Sequence, residues 1–580
     1  MQHKELMLGN EAIARGVYEA GVHVVSSYPG TPSTEITSAV AKFKEVKCEW
    51  ATNEKVSVEV SYGASMTGAR ALSCMKHVGV NVAADPLFTA AYSGVNGGLV
   101  IVCADDPAMH SSQNEQDSRM IARASHIPML EPADSQECKE YMKLAYDLSE
   151  QYDTPMFVRT TTRLSHSRSL VTLDERKEVP VRPYKKNTMK NVMMPGMARL
   201  RHLFVEDREK RMAEDACSYP INRIEMKDPS LGVICAGVVY EYVKEALPNA
   251  SVLKLGMTYP LPEKLIRDFS QMVDELICVE ELENVLEKDI IAMGVKITGK
   301  NKTGVQGELS VNRVKECFSQ QPAQLAYPLT EALPTRPPVL CPGCPHRATF
   351  FALKKLKMNV FGDIGCYTLC ALKPLDTMDA ALCMGASIGM AFGAEKANGR
   401  EFAKKSVAVI GDSTFVHSGI TPLIDAVYNR GTTTVIIMDN RTTGMTGHQN
   451  NPVNGLDIYG QAAPELDLVA LCQSIGAHVE TIDPFDVKGF AALVKQECQR
   501  DSVSVIIAKR PCVLLKKTNC TPCKVEGCKN CGKCMGIGCP AIKRTKGGIA
   551  IDDSLCVACG LCARICPFNA LDGGKIHERS

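Results

Sequence analysis

Residues 406–440 read SVAVIGDSTFVHSGITPLIDAVYNRGTTTVIIMDN, and this run sets the architecture of its part of the chain. Two apolar, β-branched segments, 406–411 and 434–439, flank an amphipathic helical stretch over 419–429. This alternation is typical of a β–α–β unit whose parallel strands are buried on both faces. Asp412 and Asn440 each follow one of the two strands directly. Because open α/β sheets bind ligands at the carboxyl ends of their strands, we expect both side chains to lie in a binding site.

The chemistry of these two side chains indicates what they bind. Asp412 and Asn440 offer the oxygen ligands that Mg²⁺ prefers, and Mg²⁺ in proteins is commonly held by few side chains together with phosphate oxygens. The sequence therefore predicts a site for magnesium and a diphosphate. A Gly–Asp pair at a strand end is also a common helix N-cap, so these residues alone leave that alternative open.

Cysteine is concentrated near the carboxyl end, where residues 556–567 read CVACGLCARICP. This Cys-x2-Cys-x2-Cys-x3-Cys-Pro spacing holds 4Fe-4S clusters, and an upstream array differs only by one extra residue before its last cysteine. In two-cluster ferredoxins the fourth cysteine of each array ligates the other cluster. Carried over, that rule predicts one cluster on Cys528, Cys531, Cys534 and Cys566, and a second on Cys539, Cys556, Cys559 and Cys562. Structural zinc is the alternative.

The chain of 580 residues is long enough for several domains. Alternating helices and buried strands, such as 10–20 and 97–104, predict a first α/β domain, and charged, aperiodic residues after it predict a linker with a solvated helix. Two further α/β domains and a small domain stabilised by its metal follow. The predicted boundaries are 1–181, 182–228, 229–332, 333–515 and 516–580.

Composition narrows the functional classes. With 66 basic and 65 acidic residues, the chain gives no electrostatic reason to expect nucleic acid or an anionic membrane as a partner. Its first residues lack a signal-peptide core, and no apolar run reaches the roughly 18 residues that span a bilayer. We therefore expect a cytoplasmic protein whose 26 cysteines serve mainly as metal ligands, as would suit an anaerobe.

The loop after the second strand carries a family resemblance. Residues 440–449, NRTTGMTGHQ, resemble the Asn-x-x-Tyr-Gly-Met-Thr-Gly-Gly-Gln segment of 2-oxoacid:ferredoxin oxidoreductases, with Thr443 and His448 as departures. Residues 411–440 are similar to the thiamine diphosphate motif, with Ser413 replacing its last glycine. The resemblance implies Mg²⁺ on Asp412, Asn440 and the Thr442 carbonyl. It also implies cofactor contacts from Gly411, Asp412, Ser413, Asn440, Thr442, Gly444, Met445 and Thr446.

A third set of cysteines matches the same family. Its members carry a cluster beside the thiamine, held by a Cys-x2-Cys pair, a later cysteine and a distant Pro-Cys. The resemblance implies a third 4Fe-4S cluster on Cys341, Cys344, Cys366 and Cys512; buried core thiols or zinc are the alternatives. Cys370, Cys383, Cys520 and Cys523 receive no role, although the Cys520 and Cys523 pair could supply a substitute ligand.

The amino-terminal segments 9–16 and 28–35 resemble the pyrimidine-binding domain of the family. Glu54 then matches the glutamate that activates the aminopyrimidine, and Thr31 is implied to lie near the thiazolium and the substrate. Residues 104–119, ADDPAMHSSQNEQDSR, resemble a signature of the large subunit of the indolepyruvate-oxidising members. His110, Gln113, Asn114 and Arg119 are candidate contacts for substrate or coenzyme A, Arg119 for a carboxylate. A polar loop stabilised by Asx turns is the alternative.

The resemblance covers nearly the whole chain and implies its fold and reaction. The fold is two doubly wound α/β domains of the thiamine diphosphate-binding type, a small α/β domain like the transketolase carboxyl-terminal domain, and a two-cluster ferredoxin domain. The implied reaction converts an arylpyruvate, coenzyme A and two oxidised ferredoxins into an aryl-acetyl-CoA, carbon dioxide and two reduced ferredoxins. A small β subunit in an α2β2 assembly is implied as partner. Another 2-oxoacid substrate, pyruvate or a branched-chain acid, and an electron-transfer subunit without thiamine catalysis remain as alternatives.

Overall fold

The structure is a computed structural model that describes residues 3–319, 333–334, 336–516 and 519–577. It divides into two compact units, Met1–Thr330 and Glu331–Ser580, each built around parallel sheets. The predicted domain boundary at 332/333 falls beside residues outside the described ranges. No helix of the described residues is both long and apolar enough to cross a bilayer.

The first part of unit 1 alternates strands and helices, as the sequence predicts. Its strands are β1 Lys4–Leu8, β2 Val24–Ser27, β3 Lys47–Trp50, β4 Ala71–Lys76, β5 Leu99–Asp105, β6 Met129–Leu130, β7 Met156–Thr161 and β8 Arg168–Thr172. Its helices are α1 Gly9–Glu19, α2 Thr34–Val40, α3 Glu54–Met66, α4 His77–Val82, α5 Ala84–Ser93, α6 Ser118–Ser125, α7 Ser135–Tyr152 and α8 Thr162–His166. Helix α1 and strand β5 confirm the elements predicted at 10–20 and 97–104.

A parallel sheet forms the centre of this part, in the order β6-β7-β5-β4-β2-β3. Every residue of β5 is buried, and its first six residues are apolar, because helices cover both faces of such a sheet. Strands β1 and β8 form a separate antiparallel pair. The carboxyl ends of β5 and β7 register Asp105 against Thr161, so the polar residues that follow them lie at one edge.

The second part of unit 1 is a smaller α/β layer. Its elements are α9 Thr188–Asn191, α10 Pro195–Ala216, β9 Arg223–Glu225, β10 Asp228–Ala236, α11 Val239–Ala246, β11 Ala250–Leu255, β12 Met257–Tyr259, α12 Glu263–Ser270, β13 Glu275–Val279, α13 Val285–Ala292, α14 Lys300–Thr303 and α15 Val311–Val314. The sheet order is β13-β10-β11-β9, with β9 antiparallel. Strand β12 joins the first sheet instead, antiparallel to β6.

The predicted linker at 182–228 is only partly right. It contains the expected helix, α10, but that helix buries one face and is not wholly solvated. Arg208 on α10 is 1% exposed, and β9 joins the second sheet as an edge strand. The many charged residues of α10 make its buried face hard to recognise in the sequence. One of them, an arginine, lies in the core because backbone carbonyls accept hydrogen bonds from its N–H groups.

Unit 2 begins with the predicted third α/β layer. Its elements are α16 His346–Leu356, β14 Asn359–Phe361, α17 Ala386–Asn398, α18 Arg400–Ala403, β15 Ser406–Gly411, α19 Asp412–Thr414, α20 Ile420–Tyr428, β16 Thr434–Asp439, α21 Leu468–Ile475, β17 His478–Ile482, α22 Val487–Glu497 and β18 Ser504–Lys509. The strands form one parallel sheet in the order β14-β15-β16-β18-β17. Strands β15 and β16 are neighbours on either side of α20, which confirms the β–α–β unit at 406–440.

The cysteine-rich end of unit 2 has little regular structure. It contains the strands β19 Asn519–Thr521, β20 Ile542–Thr545, β21 Gly548–Ile551 and β22 Lys575–His577, and the short helix α23 Leu561–Ile565. Strands β19 and β22 pair antiparallel, as do β20 and β21. Its apolar residues share one core with α16 and one face of the five-stranded sheet. The segment is therefore packed onto its neighbouring α/β layer.

Candidate cofactor and electron-transfer site

The predicted magnesium site lies at the carboxyl ends of β15 and β16. Asp412 is 2% exposed, and its carboxylate accepts hydrogen bonds from the Ser413 N–H at 2.7 Å and the Arg441 N–H at 2.8 Å. The same Arg441 N–H also lies 3.2 Å from the buried Asp439 carboxylate. Two neighbouring carboxylates thus converge in a site that is almost sealed from water.

This arrangement needs positive charge. Burial, followed by the neighbouring Asp439 carboxylate, raises the pKa of Asp412 above its ordinary range. A divalent cation placed at Asp412 would compensate both effects, since a bound metal ion is usually the largest local charge in its site. The residues therefore fit the predicted ion, and the helix that begins with Asp412 continues into α20.

The loop that follows β16 is closed by Gln449. Its backbone carbonyl accepts a hydrogen bond from the Thr443 N–H at 3.0 Å, and its side-chain amide donates to the Thr446 carbonyl at 2.9 Å. Asn440 Oδ1 accepts from the Thr442 N–H at 3.2 Å. Within the loop Asn440 and Thr442 are buried, whereas Met445 is half exposed. Gln449 thus fixes the segment that carries the predicted cofactor contacts.

The departures at positions 413 and 443 from the family motif contact each other. Thr443 Oγ1 donates a hydrogen bond to Ser413 Oγ at 2.8 Å. Ser413 replaces a motif glycine, and Thr443 replaces a motif tyrosine. The two side chains that depart from the motif therefore join the loop to the end of β15.

The third set of cysteines lies against this loop. The Cys512 N–H donates to the Asn440 carbonyl at 2.9 Å, and a Cβ built on Gly444 would lie 3.5 Å from Cys366 Sγ. Burial, with smaller contributions from the nearby Cys512 and Cys341 thiols, raises the pKa of Cys366 to about 11. Cys344 is close to both Cys366 and Cys341. All four predicted thiols therefore lie near one another beside the loop 440–449.

Three further residues of the site were missed by sequence reasoning. His346 is buried beside Asn440, with Nε2 3.5 Å from Asn440 Nδ2, and burial lowers its pKa to about 4. The Tyr367 hydroxyl accepts from the Gly411 N–H at 3.0 Å. The Asp363 carboxylate accepts from the Gly385 and Ser387 N–H groups at the start of α17. His346 follows the Cys341–Cys344 pair by two residues, which was the available signal.

Two cavities near the carboxyl end are lined by the cysteines of the two arrays. The first is lined by Cys528, Cys531, Cys534 and Cys566. The second is lined by Cys539, Cys556, Cys559, Cys562 and, unexpectedly, Cys523. The last cysteine of each array thus lies in the cavity of the other array, which is the placement that exchange of ligands between the clusters requires. Ligation itself stays a prediction.

The spacing of the sulfur atoms bears on zinc. Tetrahedral zinc with Zn–S bonds of about 2.3 Å brings its sulfur ligands to about 3.8 Å from one another. Among the described residues, the group of three or more potential ligand atoms that all lie within 4.8 Å of one another is His478, Glu480 and Glu497. No three cysteines of either array approach so closely. Among the described residues, the cysteines of the two arrays therefore do not have the spacing of a preformed zinc site.

In unit 1, Glu54 begins α3 directly after the N-cap Asn53, whose side chain accepts from the Val56 N–H at 2.9 Å. Glu54 is 4% exposed. A Cβ on Gly79 would lie only 2.7 Å from Glu54 Oε1, so this glycine makes room for the carboxylate. Lys76 lies close to Glu54 and Asp106. Its ammonium donates to the Ser111 carbonyl at 2.9 Å.

Thr31 and the 105–119 segment lie near each other at the same sheet edge. The Thr31 carbonyl accepts from Ser111 Oγ at 3.3 Å. Asp106 secures the segment, because its carboxylate accepts from the Ser111 N–H at 2.8 Å and from Ser112 Oγ at 2.7 Å. The side chains of His110, Gln113 and Asn114 are exposed beyond this anchor. Their predicted contacts with substrate or coenzyme A remain predictions.

Arg119 differs from the expectation. It is 4% exposed, and its guanidinium donates to the carboxylates of Asp117 and Glu280 and to the carbonyls of Glu281 and Glu283. These hydrogen bonds join the two sheets of unit 1. The guanidinium is thus occupied within the protein, which argues against the predicted contact with a substrate carboxylate. An arginine that can pair bidentately with a ligand can pair equally well with buried aspartate and glutamate.

Three stretches of the chain match known protein families. Residues 15–221 match the family described as pyruvate flavodoxin/ferredoxin oxidoreductase, thiamine diphosphate-binding. Residues 363–508 match the thiamine pyrophosphate enzyme, C-terminal TPP-binding domain, and residues 549–572 match the 4Fe-4S binding domain. The fold and site therefore define a thiamine diphosphate-dependent oxidoreductase with a ferredoxin-type iron–sulfur domain.

Full-length relatives narrow the class to one family. The indolepyruvate oxidoreductase subunit IorA of Archaeoglobus fulgidus is 40% identical over 99% of this chain and 98% of its own length. That of Pyrococcus horikoshii is 38% identical over 99% of this chain and 97% of its own length. The chain belongs to this IorA family. A weaker structural similarity, with a TM-score of 0.47 and 18% identity over 55% of this chain and 65% of the other, is to a 2-oxoglutarate:ferredoxin oxidoreductase from Magnetococcus marinus.

Proposed function

We propose that this protein oxidatively decarboxylates arylpyruvates, with coenzyme A as acyl acceptor and ferredoxin as electron acceptor. Its relatives in Archaeoglobus fulgidus and Pyrococcus horikoshii are named as subunits of an indolepyruvate oxidoreductase. The products would be an aryl-acetyl-CoA, carbon dioxide and two reduced ferredoxins. Bound thiamine diphosphate supplies the electron sink that makes loss of carbon dioxide from a 2-oxoacid possible.

One observation carries this proposal more than any other. The loop from Asn440 to Gly444 contacts Cys512 through a 2.9 Å backbone hydrogen bond and lies against Cys366. The proposed thiamine site and the thiols proposed to hold a one-electron acceptor would therefore share one wall. That arrangement suits an enzyme that removes electrons one at a time. A non-oxidative decarboxylase transfers no electrons and would not require an electron acceptor beside the thiamine.

The residues of the loop would hold and orient the cofactor. Asp412, Asn440 and the Thr442 carbonyl would hold Mg²⁺, whose hard character matches these oxygen donors. Gly411, Ser413, Gly444, Met445 and Thr446 would contact the diphosphate and the thiazolium. In unit 1, Glu54 would hydrogen-bond the aminopyrimidine, and Thr31 would lie by the substrate. His110, Gln113 and Asn114 are the remaining candidates for polar contacts with substrate or coenzyme A.

Electrons would leave through the cysteine sites of unit 2. The set Cys341, Cys344, Cys366 and Cys512 would hold the cluster that accepts them. The two arrays near the carboxyl end would hold two more clusters, with Cys566 and Cys539 exchanged between them. We propose the domains 1–181, 229–332, 333–515 and 516–580, with 182–228 as the linker after the first and with the last domain delivering electrons to ferredoxin. A small β subunit in an α2β2 complex would complete the enzyme.

Reduction of ferredoxin by the anaerobic complex tests the proposal. With coenzyme A present, indolepyruvate and phenylpyruvate should support reduction at least about 10-fold better, in kcat/KM, than pyruvate or a branched-chain 2-oxoacid. Preference for pyruvate would contradict the substrate class. Absence of reduction with every 2-oxoacid, in protein that retains its iron, would instead support an electron-transfer subunit. About twelve irons per chain are expected for three 4Fe-4S clusters, against about eight for two.

A further inference from the structure

The second cysteine cavity contains one thiol more than a 4Fe-4S cluster needs. Besides Cys539, Cys556, Cys559 and Cys562, its wall includes Cys523, which is 3% exposed. The first cavity differs in this respect, because the described residues that line it include four cysteines. The second cavity thus offers one ligand more than the first, and this extra thiol comes from outside both Cys-Pro arrays.

Backbone contacts fix Cys523 within the cavity. It follows β19, and the next residue, Lys524, donates its N–H to the Asp572 carboxylate at 2.8 Å. Gly574 closes the turn before β22, where a Cβ would lie 3.0 Å from the Cys523 nitrogen. The pairing of β19 with β22 therefore holds Cys523 against the second array. Its position does not depend on a flexible side chain alone.

The sulfur atom of Cys523 lies among groups that serve cluster ligands. Its Sγ is 4.0 Å from Cys562 Sγ and accepts a hydrogen bond from the Gly573 N–H at 3.3 Å. The Cys523 N–H in turn donates to Cys556 Sγ at 3.4 Å. Backbone N–H groups pointing at sulfur are the usual second layer of contacts around iron–sulfur clusters. Cys523 therefore has the environment of a ligand as well as the position of one.

We propose that Cys523 is a reserve ligand of the second cluster and can replace Cys562 on its iron. This inference rests on the proposed assignment of that cluster to the second array. In the exchange, the iron–sulfur bond to Cys562 breaks and a bond to Cys523 forms. The proton of the Cys523 thiol passes to the released Cys562 sulfur, so the charge of the site is unchanged. Only a displacement comparable to their 4.0 Å separation is needed.

Removal of Cys562 tests the exchange against a matched control. Cys534 is the third cysteine of the first array, as Cys562 is of the second, and its cavity lacks a surplus thiol among the described residues. In the anaerobic complex, Cys562→Ala should retain the wild-type iron and acid-labile sulfide, with an altered electron paramagnetic resonance signal. Cys534→Ala and the double variant Cys523→Ala with Cys562→Ala should each lose about four irons per chain. Cys523→Ala alone should retain its iron.

The outcomes separate this inference from the function on which it rests. Loss of about four irons in Cys562→Ala, or retention of them in the double variant, would overturn the reserve role while leaving both clusters assigned. Retention of all iron in Cys534→Ala would instead contradict the assignment of clusters to the arrays. If Cys562→Ala does not fold whereas Cys534→Ala does, Cys523 does not support the site and the proposal fails.

Discussion

At the scale of single residues, the candidate site is organised by buried charge. Asp412 and Asp439 are both almost inaccessible to water, and both lie within hydrogen-bonding distance of one backbone N–H, that of Arg441. Two like charges in a medium of low polarity repel each other unless a cation or a proton intervenes. A cation bound at Asp412 would therefore stabilise the pair together with the Arg441 guanidinium, which lies 3.8 Å from Asp439, and Asn440 and Thr442 provide neutral oxygen atoms beside it.

Replacing Asp412 by asparagine should abolish tight cofactor binding with little change in shape. Loss of the charged ligand is expected to lower the affinity for Mg²⁺ and thiamine diphosphate by about 100-fold, or about 3 kcal/mol. Isothermal titration of cofactor-depleted protein with both ligands would measure this. Asp425→Asn, at an exposed position on α20, is the control and should bind as the wild type does. Equal affinity in the two variants would contradict the magnesium assignment.

A second buried carboxylate makes the stability of unit 1 depend on pH. Burial raises the pKa of Glu281 to about 7 from 4.5, although its carboxylate accepts from the Leu309 N–H at 2.9 Å. Between these two values the folded protein binds the proton more tightly than the unfolded protein. Stability therefore falls as pH rises from 4.5 to 7. Above that window the ionised, buried carboxylate is a lasting cost.

Glu281→Gln should remove this dependence. At pH 8 the free energy of unfolding of the variant is expected to exceed that of the wild type by up to about 3 kcal/mol, so the variant should unfold at a higher temperature. At pH 4.5 it should show little or no such gain. Thermal unfolding of both proteins across this range would measure the difference. Glu263→Gln changes an exposed carboxylate on α12 of the same unit and is the control. A gain of equal size at every pH would show that titration of Glu281 is not the cause.

At the scale of elements, α10 shows how a charged helix can be structural. The guanidinium of Arg208 donates to the carbonyls of Ala91 and Asp153 at 3.1 Å and to the His126 carbonyl at 3.2 Å. Burial lowers its pKa to about 10. One side chain thus satisfies three carbonyls from separate segments of the first α/β layer. The helix is fastened to that layer by hydrogen bonds as well as by apolar contact.

Arg208→Met should destabilise unit 1 by about 2–4 kcal/mol, because three buried carbonyls lose their donor. Arg211→Met, one turn further along the same helix, removes only an exposed ion pair with Asp207 and should change stability by less than about 0.5 kcal/mol. Urea unfolding monitored by hydrogen exchange in α10 would measure both. Equal effects of the two substitutions would mean that the buried hydrogen bonds contribute little.

At the scale of the whole molecule, the two units differ in what stabilises them. The first sheet of unit 1 has central strands that are buried at every residue, such as β5, and encloses its own core. The carboxyl-terminal part of unit 2 instead consists of short strand pairs around two cysteine-lined cavities. Bound clusters would supply much of the stabilisation there, since a metal that binds only the folded state contributes its binding energy to folding.

Anaerobic removal of iron should therefore loosen one region selectively. We expect amide hydrogen exchange in residues 519–577 to accelerate at least about 10-fold, while β4 and β5 of unit 1 exchange at their original rates. Exchange followed by mass spectrometry on the intact complex, before and after chelation, would measure this. Unchanged protection in residues 519–577 would show that packing against α16 and its sheet suffices without metal.

Local sequence patterns were sufficient to predict the β–α–β unit at 406–440, helix α1, strand β5 and the spacing of the cysteine arrays. These features depend on residues close together in the chain, so that periodicity and motif spacing specify them. Contacts between residues far apart in the chain became visible only in the tertiary structure. Packing between elements encloses Arg119 between carboxylates and buries Arg208 in a core. It also places His346 beside Asn440 and Cys523 in the wall of the second cavity. The physical reason is that burial and partnership arise from packing between elements, which a local pattern does not encode.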